Sequence, residues 1–223
     1  MFAKKLNNKL DKYHLLKHPF YDYFWNEGKL TREIIRDYAE QYYQHVKAFP
    51  RYISATHSIC DDIEKRRILL ENLQDEENKD GDHPKLWKNF AKSLGADEKE
   101  IENAKLDWFT KDMIDNFFSQ ARKSYAEGLA SLYTYERQIP EIAETKIQGL
   151  KKFYGVNSKE GLEFFEAHKS ADVVHRAECE KLLDGLSKEE QEKAEKASLL
   201  TAKFLWNFLS GMTSKHKLQL AAA

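Results

Sequence analysis

Two histidines and an aspartate recur at helical spacing in the stretch GLEFFEAHKSADVVHRAECE, near the C-terminal third of the chain. His168, Asp172 and His175 stand at positions i, i+4 and i+7, so at about 100° per residue they share one narrow helical face. Phe164 and Phe165 come one turn earlier and predict that this face points at least partly inward. Two imidazoles and a carboxylate on one face suit iron, manganese or zinc. The alternative is a chance cluster on the surface of a charged helix.

A second candidate pair lies in the stretch LLENLQDEENKDGDHPKLW. Glu76 and His83 are seven residues apart, and they share a face if one helix continues through Gly81. Glu76 also follows Leu69 and Leu73 on the apolar stripe of this helix, where a carboxylate requires a partner. Taken alone, the pair is also typical of a solvated acidic patch.

A third candidate ligand is Glu136, which lies on the apolar helix ASLYTYERQIPEIAE just before Pro140. Three helices together therefore offer three carboxylates and three histidines. This mixture of ligands is typical of a dinuclear iron or iron–manganese centre inside a helix bundle. A single zinc ion fits less well, because six oxygen and nitrogen ligands suit a bridged octahedral pair better than one tetrahedral ion.

Composition limits the classes of function that the chain can have. The 223 residues include 36 basic and 37 acidic side chains, and a net charge of −1 argues against nucleic acid or an acidic membrane as partner. No apolar run approaches the length of a membrane span. Cys60 and Cys179 form no CxxC motif, and no signal peptide is recognisable, so we expect a reducing, cytoplasmic location. Both cysteines are predicted to be buried fillers, with Cys179 on a different face from His175.

The elements that must position these residues are predicted to be helices. Only 4 prolines and 9 glycines occur, and they fall between stretches of apolar periodicity, which predicts an all-α protein. We expect one helix bundle over residues 1–220 and a disordered tail at 221–223. Seven helices are predicted, near residues 4–17, 19–27, 31–59, 61–92, 110–138, 141–154 with 159–184, and 187–213.

Local signals mark the ends of several of these helices. Thr31 opens a helix that Pro50 is expected to interrupt. Asp97 and Ser187 each precede a glutamate by three residues, which predicts two capping boxes. Gly155 is the expected C-cap of the helix that contains KIQGLKKFY.

Several segments carry a resemblance that extends over nearly the whole chain, from about His18 to Leu209. They are HPFY, YAEQYYQHVKAFPRYISATHSICDD, LLENLQDEEN, LYTYERQIPEIAETKIQGL and HKSADVVHRAE. Through them the chain resembles the family of the Chlamydia protein associating with death domains, a branch of the haem-oxygenase-like superfamily of TenA/PqqC type. The resemblance implies a haem-oxygenase-like helical bundle and a dimetal oxygenase that makes para-aminobenzoate for folate synthesis.

The family pattern Glu-x6-His, Glu and His-x3-Asp-x2-His falls without a gap on the six candidate ligands. The resemblance implies two metal ions (Fe/Fe or Fe/Mn), with dioxygen and an external reductant as co-reactants. It further implies that Tyr21 of HPFY is consumed as the source of the aromatic ring and that Lys146 donates the amino group. HPFYDYFWNEG is one residue longer than the related segment, so Tyr23 competes with Tyr21 for this role. The remaining family tyrosines, as candidates for radical relay or pocket lining, are Tyr38, Tyr42 and Tyr43.

Other functions stay open at this point. The main alternative is a dimetal oxygenase of the same fold that acts on an external small molecule. A thiaminase-like hydrolase and a cofactor-free quinone-forming oxidase are less expected, because neither enzyme needs six metal ligands. A non-enzymatic module that binds a partner protein is the third. Relatives of this fold suggest a homodimer. The C-terminus does not resemble the chlamydial tail, so death-domain binding is not expected.

Overall fold

The computed structural model describes residues 1–79 and 81–220, apart from the side chains of residues 170–174. Over this part of the chain the backbone forms ten α-helices and no β-strand. The helices are α1 (Phe2–Leu10), α2 (Arg32–Ser58), α3 (Ile63–Glu76), α4 (His83–Ser93), α5 (Glu98–Glu102), α6 (Trp108–Lys123), α7 (Tyr125–Glu136), α8 (Ile139–Phe153), α9 (Lys159–Asp184) and α10 (Lys188–Lys215).

The all-α class is confirmed, but the predicted number of seven helices is wrong. The predicted helix over 61–92 is two helices, because the Asp82 side chain accepts a hydrogen bond from the Lys85 amide and Pro84 stands in the first turn of α4. The predicted helix over 110–138 divides at Ser124, whose hydroxyl accepts from the Glu127 amide and caps α7. In both cases the apolar periodicity continues across the boundary, so that it does not reveal the capping side chain at which a new helix begins.

The segment between α1 and α2 contains short helices that are wound first more tightly and then more loosely than an α-helix. Two 3₁₀ turns, Asp11–Tyr13 and Leu15–Lys17, precede a π-helix over Phe20–Trp25. The Asn26 amide donates to the Tyr21 carbonyl at 3.1 Å, which is the i to i+5 bond of a π-helix. The wider turn directs Tyr21 into the interior, where it is 1 % exposed.

Four of the five local signals for helix ends agree with the structure. Thr31 caps α2, and the capping boxes that begin at Asp97 and Ser187 are both formed. Gly155 follows α8 with a φ of +69°, in the left-handed region that glycine occupies without strain. The expected interruption at Pro50 is wrong, since α2 continues through it. Proline removes only one helical hydrogen bond, and here it is buried among the core side chains.

The centre of the protein is an aromatic core. Side chains of α2, α4, α9 and α10 meet there, among them Tyr38, Tyr42, Trp87, Phe165 and Phe208. A smaller cluster of mostly aliphatic and small residues joins α1 to α7, α9 and α10. None of the helices in the described ranges has an apolar stretch long enough to cross a lipid bilayer. The candidate chemistry lies within the aromatic core.

Candidate active site

Glu76 and His83 meet, but not by sharing a helix. Glu76 is the last residue of α3 and His83 is the first residue of α4, so the predicted continuous helix through Gly81 is wrong. Across the two helix ends, His83 Nδ1 lies 2.8 Å from Glu76 Oε2. Both side chains are buried. The pairing that the spacing suggested is therefore present, and two helix ends produce it.

His168 completes a compact group of potential ligands. One ligand atom from each of Glu76, His83 and His168 lies within 4.8 Å of the others. His168 Nδ1 donates to the Phe164 carbonyl at 2.7 Å, which leaves Nε2 as the unprotonated nitrogen of a neutral ring. Burial, and next the neighbouring His83, hold the pKa of His168 well below its ordinary value of 6.5. The imidazole is thus in the form that binds metals.

Glu136 and His175 lie at the edge of this group. Glu136 is 2 % exposed, and its Oε1 accepts a hydrogen bond from Asn72 Nδ2 at 2.7 Å, while its Oε2 lies 3.7 Å from Cys179 Sγ. His175 is also buried, and its Nε2 lies 3.1 Å from Oδ2 of Asp75, the residue that precedes Glu76. These contacts connect the end of α7 to the middle of α9 and the end of α3.

The donor set fits a transition-metal site. The ring centroids of His83 and His168 are only 4.2 Å apart, an approach that a shared cation would favour and that two protonated rings would oppose. Buried carboxylates and neutral imidazoles together are the ligands that iron and manganese take in helical bundles. Burial without a cation costs free energy for each carboxylate, so the arrangement is more suited to holding a metal than to stabilising the fold.

A narrow cavity of about 20 Å³ adjoins the ligand group. His168 forms part of its wall, and so do Tyr21, Tyr38, Tyr42 and Lys146. A cavity of this size has room for about one water molecule. The ligand group and the tyrosines are therefore in contact with the same small space.

Lys146 occupies an unusual position for a lysine. It is 4 % exposed, its Nζ donates to the Tyr38 hydroxyl at 2.7 Å, and the hydroxyl oxygens of Tyr38 and Tyr21 are 3.0 Å apart. Five aromatic rings surround Nζ with centroids 5.0 to 5.8 Å away. Burial lowers the pKa of Lys146 to about 7. A large fraction of this amine is therefore neutral near physiological pH, and the neutral amine is nucleophilic.

The structure separates the two tyrosines that the sequence left in competition. Tyr21 lines the cavity, and burial raises its pKa far above the ordinary value of 10. Tyr23 is partly exposed, and the Lys29 Nζ lies 3.5 Å from the centre of its ring. Residues two positions apart on a helix do not face the same side, and of the two rings that of Tyr21 lies near Lys146 Nζ.

Tyr43, another of the predicted residues, is not brought to the site. Tyr43 donates to Glu102 Oε1 at 3.0 Å on the far side of α2, whereas its neighbour Tyr42 lines the cavity. Consecutive residues of a helix point about 100° apart, so both cannot face the same space. The side chain of Asp172 lies outside the described residues.

Three residues near the ligands were not predicted from the sequence. Asn72 and Cys179 contact Glu136, and Asp75 contacts His175. Cys179 was expected to be a filler on another face, but four residues after His175 a helix has turned only about 40° past a full circle. The signal that would have identified Asn72 and Cys179 is their spacing of four residues from the ligands Glu76 and His175.

The sequence of the chain matches a known protein family. The sequence profile of a family described as iron-containing redox enzymes, of haem-oxygenase type, matches residues 36–206. The chain belongs to this family. Its membership agrees with the buried set of iron-binding residue types, and the resemblance inferred from the sequence motifs is confirmed.

The likeness to other proteins, in sequence and in structure, extends over nearly the whole chain. A 4-aminobenzoate synthase of Chlamydia pneumoniae is 42% identical over 207 residues, which are 92% of each chain. A 4-aminobenzoate synthase of Nitrosomonas europaea is 39% identical and covers 95% of this chain and 90% of its own length. A TenA homologue from Pseudomonas syringae superposes with a TM-score of 0.82 at 17% identity, over 96% of this chain and 93% of that one. The last likeness shows the fold alone.

Proposed function

We propose that this protein makes 4-aminobenzoate in a reaction that depends on two bound metal ions and dioxygen, and that it consumes its own Tyr21 as the source of the ring. Lys146 is the proposed donor of the amino group. The relatives named 4-aminobenzoate synthase support the product. The observation that carries the proposal is the hydrogen-bonded series from Lys146 through Tyr38 to Tyr21, enclosed beside His168.

The size of the cavity favours an internal substrate. Pockets for small molecules have volumes of roughly 300 to 1,000 Å³, whereas this cavity has about 20 Å³. An external aromatic substrate does not fit without displacing a side chain of the aromatic core. Tyr21 already occupies the position next to the ligand group, so a phenol is present without a binding step.

Tyr38 is proposed to hold the two reacting groups together. Its hydroxyl accepts from Lys146 Nζ and can then donate to the Tyr21 oxygen, so the amine and the phenol are fixed on one short path for protons. The same burial that raises the pKa of Tyr21 lowers that of Lys146. Burial therefore favours the neutral form of both groups, so that the phenol would keep its proton, and the amine its lone pair, until the ring is oxidised.

The proposed ligands of the metals are Glu76, His83, Glu136, His168 and His175, together with Asp172, whose side chain lies outside the described residues. Bound iron, or iron with manganese, supplies the activation of dioxygen that oxidation of a phenol requires. An external reductant completes the electron balance of such a reaction. The rings around Lys146 give the space in which oxidation would occur a largely aromatic lining.

Isotope labelling tests the proposal directly. The protein is produced with ring-labelled tyrosine, purified, loaded with iron and manganese, and supplied with a reductant and dioxygen in unlabelled buffer. We expect labelled 4-aminobenzoate, no more than about one per chain, and a corresponding loss of mass in the peptide that contains Tyr21. Heavy nitrogen in lysine should appear in the product as well.

Three variants provide the controls. Tyr21→Phe should make no product, whereas Tyr23→Phe, two residues away and outside the cavity, should retain the wild-type yield. Lys146→Arg keeps a positive charge but not a transferable amine, and should also make none. Unlabelled product made from an added small molecule, by Tyr21→Phe as well as by wild type, would favour the oxygenase that acts on an external substrate.

A further inference from the structure

Two buried side chains donate hydrogen bonds to the carboxylate of Glu136, one to each oxygen. Asn72 Nδ2 donates to Oε1 at 2.7 Å, and Cys179 Sγ donates to Oε2 at 3.7 Å. All three side chains are buried, with Asn72 4 %, Cys179 3 % and Glu136 2 % exposed. Since both oxygens are engaged, rotation about the last side-chain bond of Glu136 would break both contacts.

The two donors are placed by the same helices that carry the proposed ligands. Asn72 precedes Glu76 on α3 by one turn, and Cys179 follows His175 on α9 by one turn. Glu136 is the last residue of α7 and lies between them. Each of the two helices therefore contributes a metal ligand and, four residues away, a group that orients the ligand of the third helix.

We propose that Asn72 and Cys179 are positioning residues, which hold the Glu136 carboxylate in the direction that a metal ion requires. Both donors are neutral, so they fix the direction of the carboxylate without cancelling its charge. Neutral partners of this kind orient a metal ligand. The inference rests on the metal centre of the proposed function and does not depend on which product that centre makes.

The surroundings of Asn72 favour this role over a structural one. Its Oδ1 is buried and has no hydrogen-bond partner among the described residues. An apolar side chain of equal size would avoid that cost to stability, so the amide is not the best residue for packing alone. By contrast Asn116, another buried asparagine, donates to Thr201 within a group of hydroxyls and accepts from Gln120 at 3.4 Å. Asn116 is therefore the matched control.

The test measures the affinity of the protein for Mn²⁺. Electron paramagnetic resonance gives the concentration of unbound Mn²⁺, and the titration is done under nitrogen so that no turnover occurs. Asn72→Leu and Cys179→Ala should bind about 10- to 100-fold more weakly than the wild type. Cys179→Ser keeps a donor and should lose less than Cys179→Ala. Asn116→Leu and Cys60→Ala change the same residue types, both buried, away from Glu136, and should bind as the wild type does.

The affinities and stabilities of these variants distinguish a positioning role of Asn72 and Cys179 from a structural one. Wild-type affinity in both Asn72→Leu and Cys179→Ala, with thermal stability lowered as in Asn116→Leu, would make the contacts structural and overturn the proposal. A loss in Cys179→Ala that serine partly restores supports it even if Asn72→Leu does not fold. Failure of the wild type itself to bind Mn²⁺ or Fe²⁺ would overturn the metal centre together with this inference, whereas normal binding without 4-aminobenzoate would overturn only the proposed product.

Discussion

Two of the buried polar clusters among the described residues differ in the kind of group they contain. The ligand cluster joins α3, α4, α7 and α9 and contains Glu76, His83, Glu136 and His168. The hydroxyl–amide cluster joins α6, α7 and α10 and contains Asn116, Gln120, Ser131, Ser198 and Thr201. Both are enclosed by apolar side chains.

The hydroxyl–amide cluster is complete as it stands. Thr201 accepts from Asn116 at 3.0 Å, and its hydroxyl lies 3.0 Å from that of Ser131, so neutral donors and acceptors satisfy one another. The ligand cluster instead concentrates carboxylates and imidazoles, which are the residue types that bind metals, in a volume that reaches a cavity. The first cluster therefore stabilises the fold, whereas the second has the composition of a cation site.

Removal of metal should therefore affect stability more than any single change in the hydroxyl–amide cluster. Metal at about a hundredfold excess over its dissociation constant stabilises a protein by about 2.7 kcal/mol. For a chain of this length we expect a melting temperature about 5 to 10 °C lower in excess chelator. Calorimetry with and without chelator measures the shift, and His168→Ala should show little of it. Equal shifts in the two proteins would contradict a site that includes His168.

Lys146 should make stability depend on pH. Its folded pKa of about 7 lies below the ordinary value of 10.5, so between these values the unfolded chain binds more protons. The free energy of unfolding therefore rises with pH, and the unfavourable contribution of Lys146 is largest below pH 7. From pH 7 to 9 we expect a rise of roughly 2 to 3 kcal/mol in wild type relative to Lys146→Met. Parallel denaturation curves for the two proteins across this range would contradict it.

Gly149 should control the approach of α8 to the π-helix. A Cβ at this position would overlap Trp25 Nε1, and the Trp25 side chain is fully buried. Gly149→Ala should cost about 1 to 3 kcal/mol through overpacking and reduce product, because Lys146 lies one turn away. Gly185→Ala, where the nearest atoms are at 3.5 Å, is the control and should leave both unchanged.

The smallest expected effect is that of a change inside the hydroxyl–amide cluster. Thr201→Val leaves Asn116 and Ser131 without a shared partner and should lower the free energy of unfolding by about 1 to 2 kcal/mol. Metal affinity and 4-aminobenzoate yield should not change. A loss of metal from Thr201→Val would show that the two clusters are not independent.

Much of this arrangement follows from short-range signals in the sequence. The capping boxes at Asp97 and Ser187 involve residues three positions apart, and the structure forms both of them. The inward face of α9 was predicted from Phe164 and Phe165, which come one turn before His168, and all three side chains are buried. Such contacts depend on helical geometry alone, which a single sequence reveals.

The unpredicted part depends on contacts between distant residues. Asn72 and Glu136 are 64 positions apart, and Cys179 and Glu136 are 43 apart, so no periodicity connects them. Glu76 and His83 were paired for the wrong reason, because a cap at Asp82 replaces the continuous helix that their spacing suggested. Burial of Lys146 was equally invisible, since α8 contains other lysines that stay exposed.

Elemental mass spectrometry tests the central claim most directly. Wild type, His168→Ala and Thr201→Val are produced with added iron and manganese and analysed for metal content per chain. The account predicts about two transition-metal ions per chain in wild type and in Thr201→Val, and clearly fewer in His168→Ala. Absence of metal from all three proteins, or equal content in wild type and His168→Ala, would contradict it.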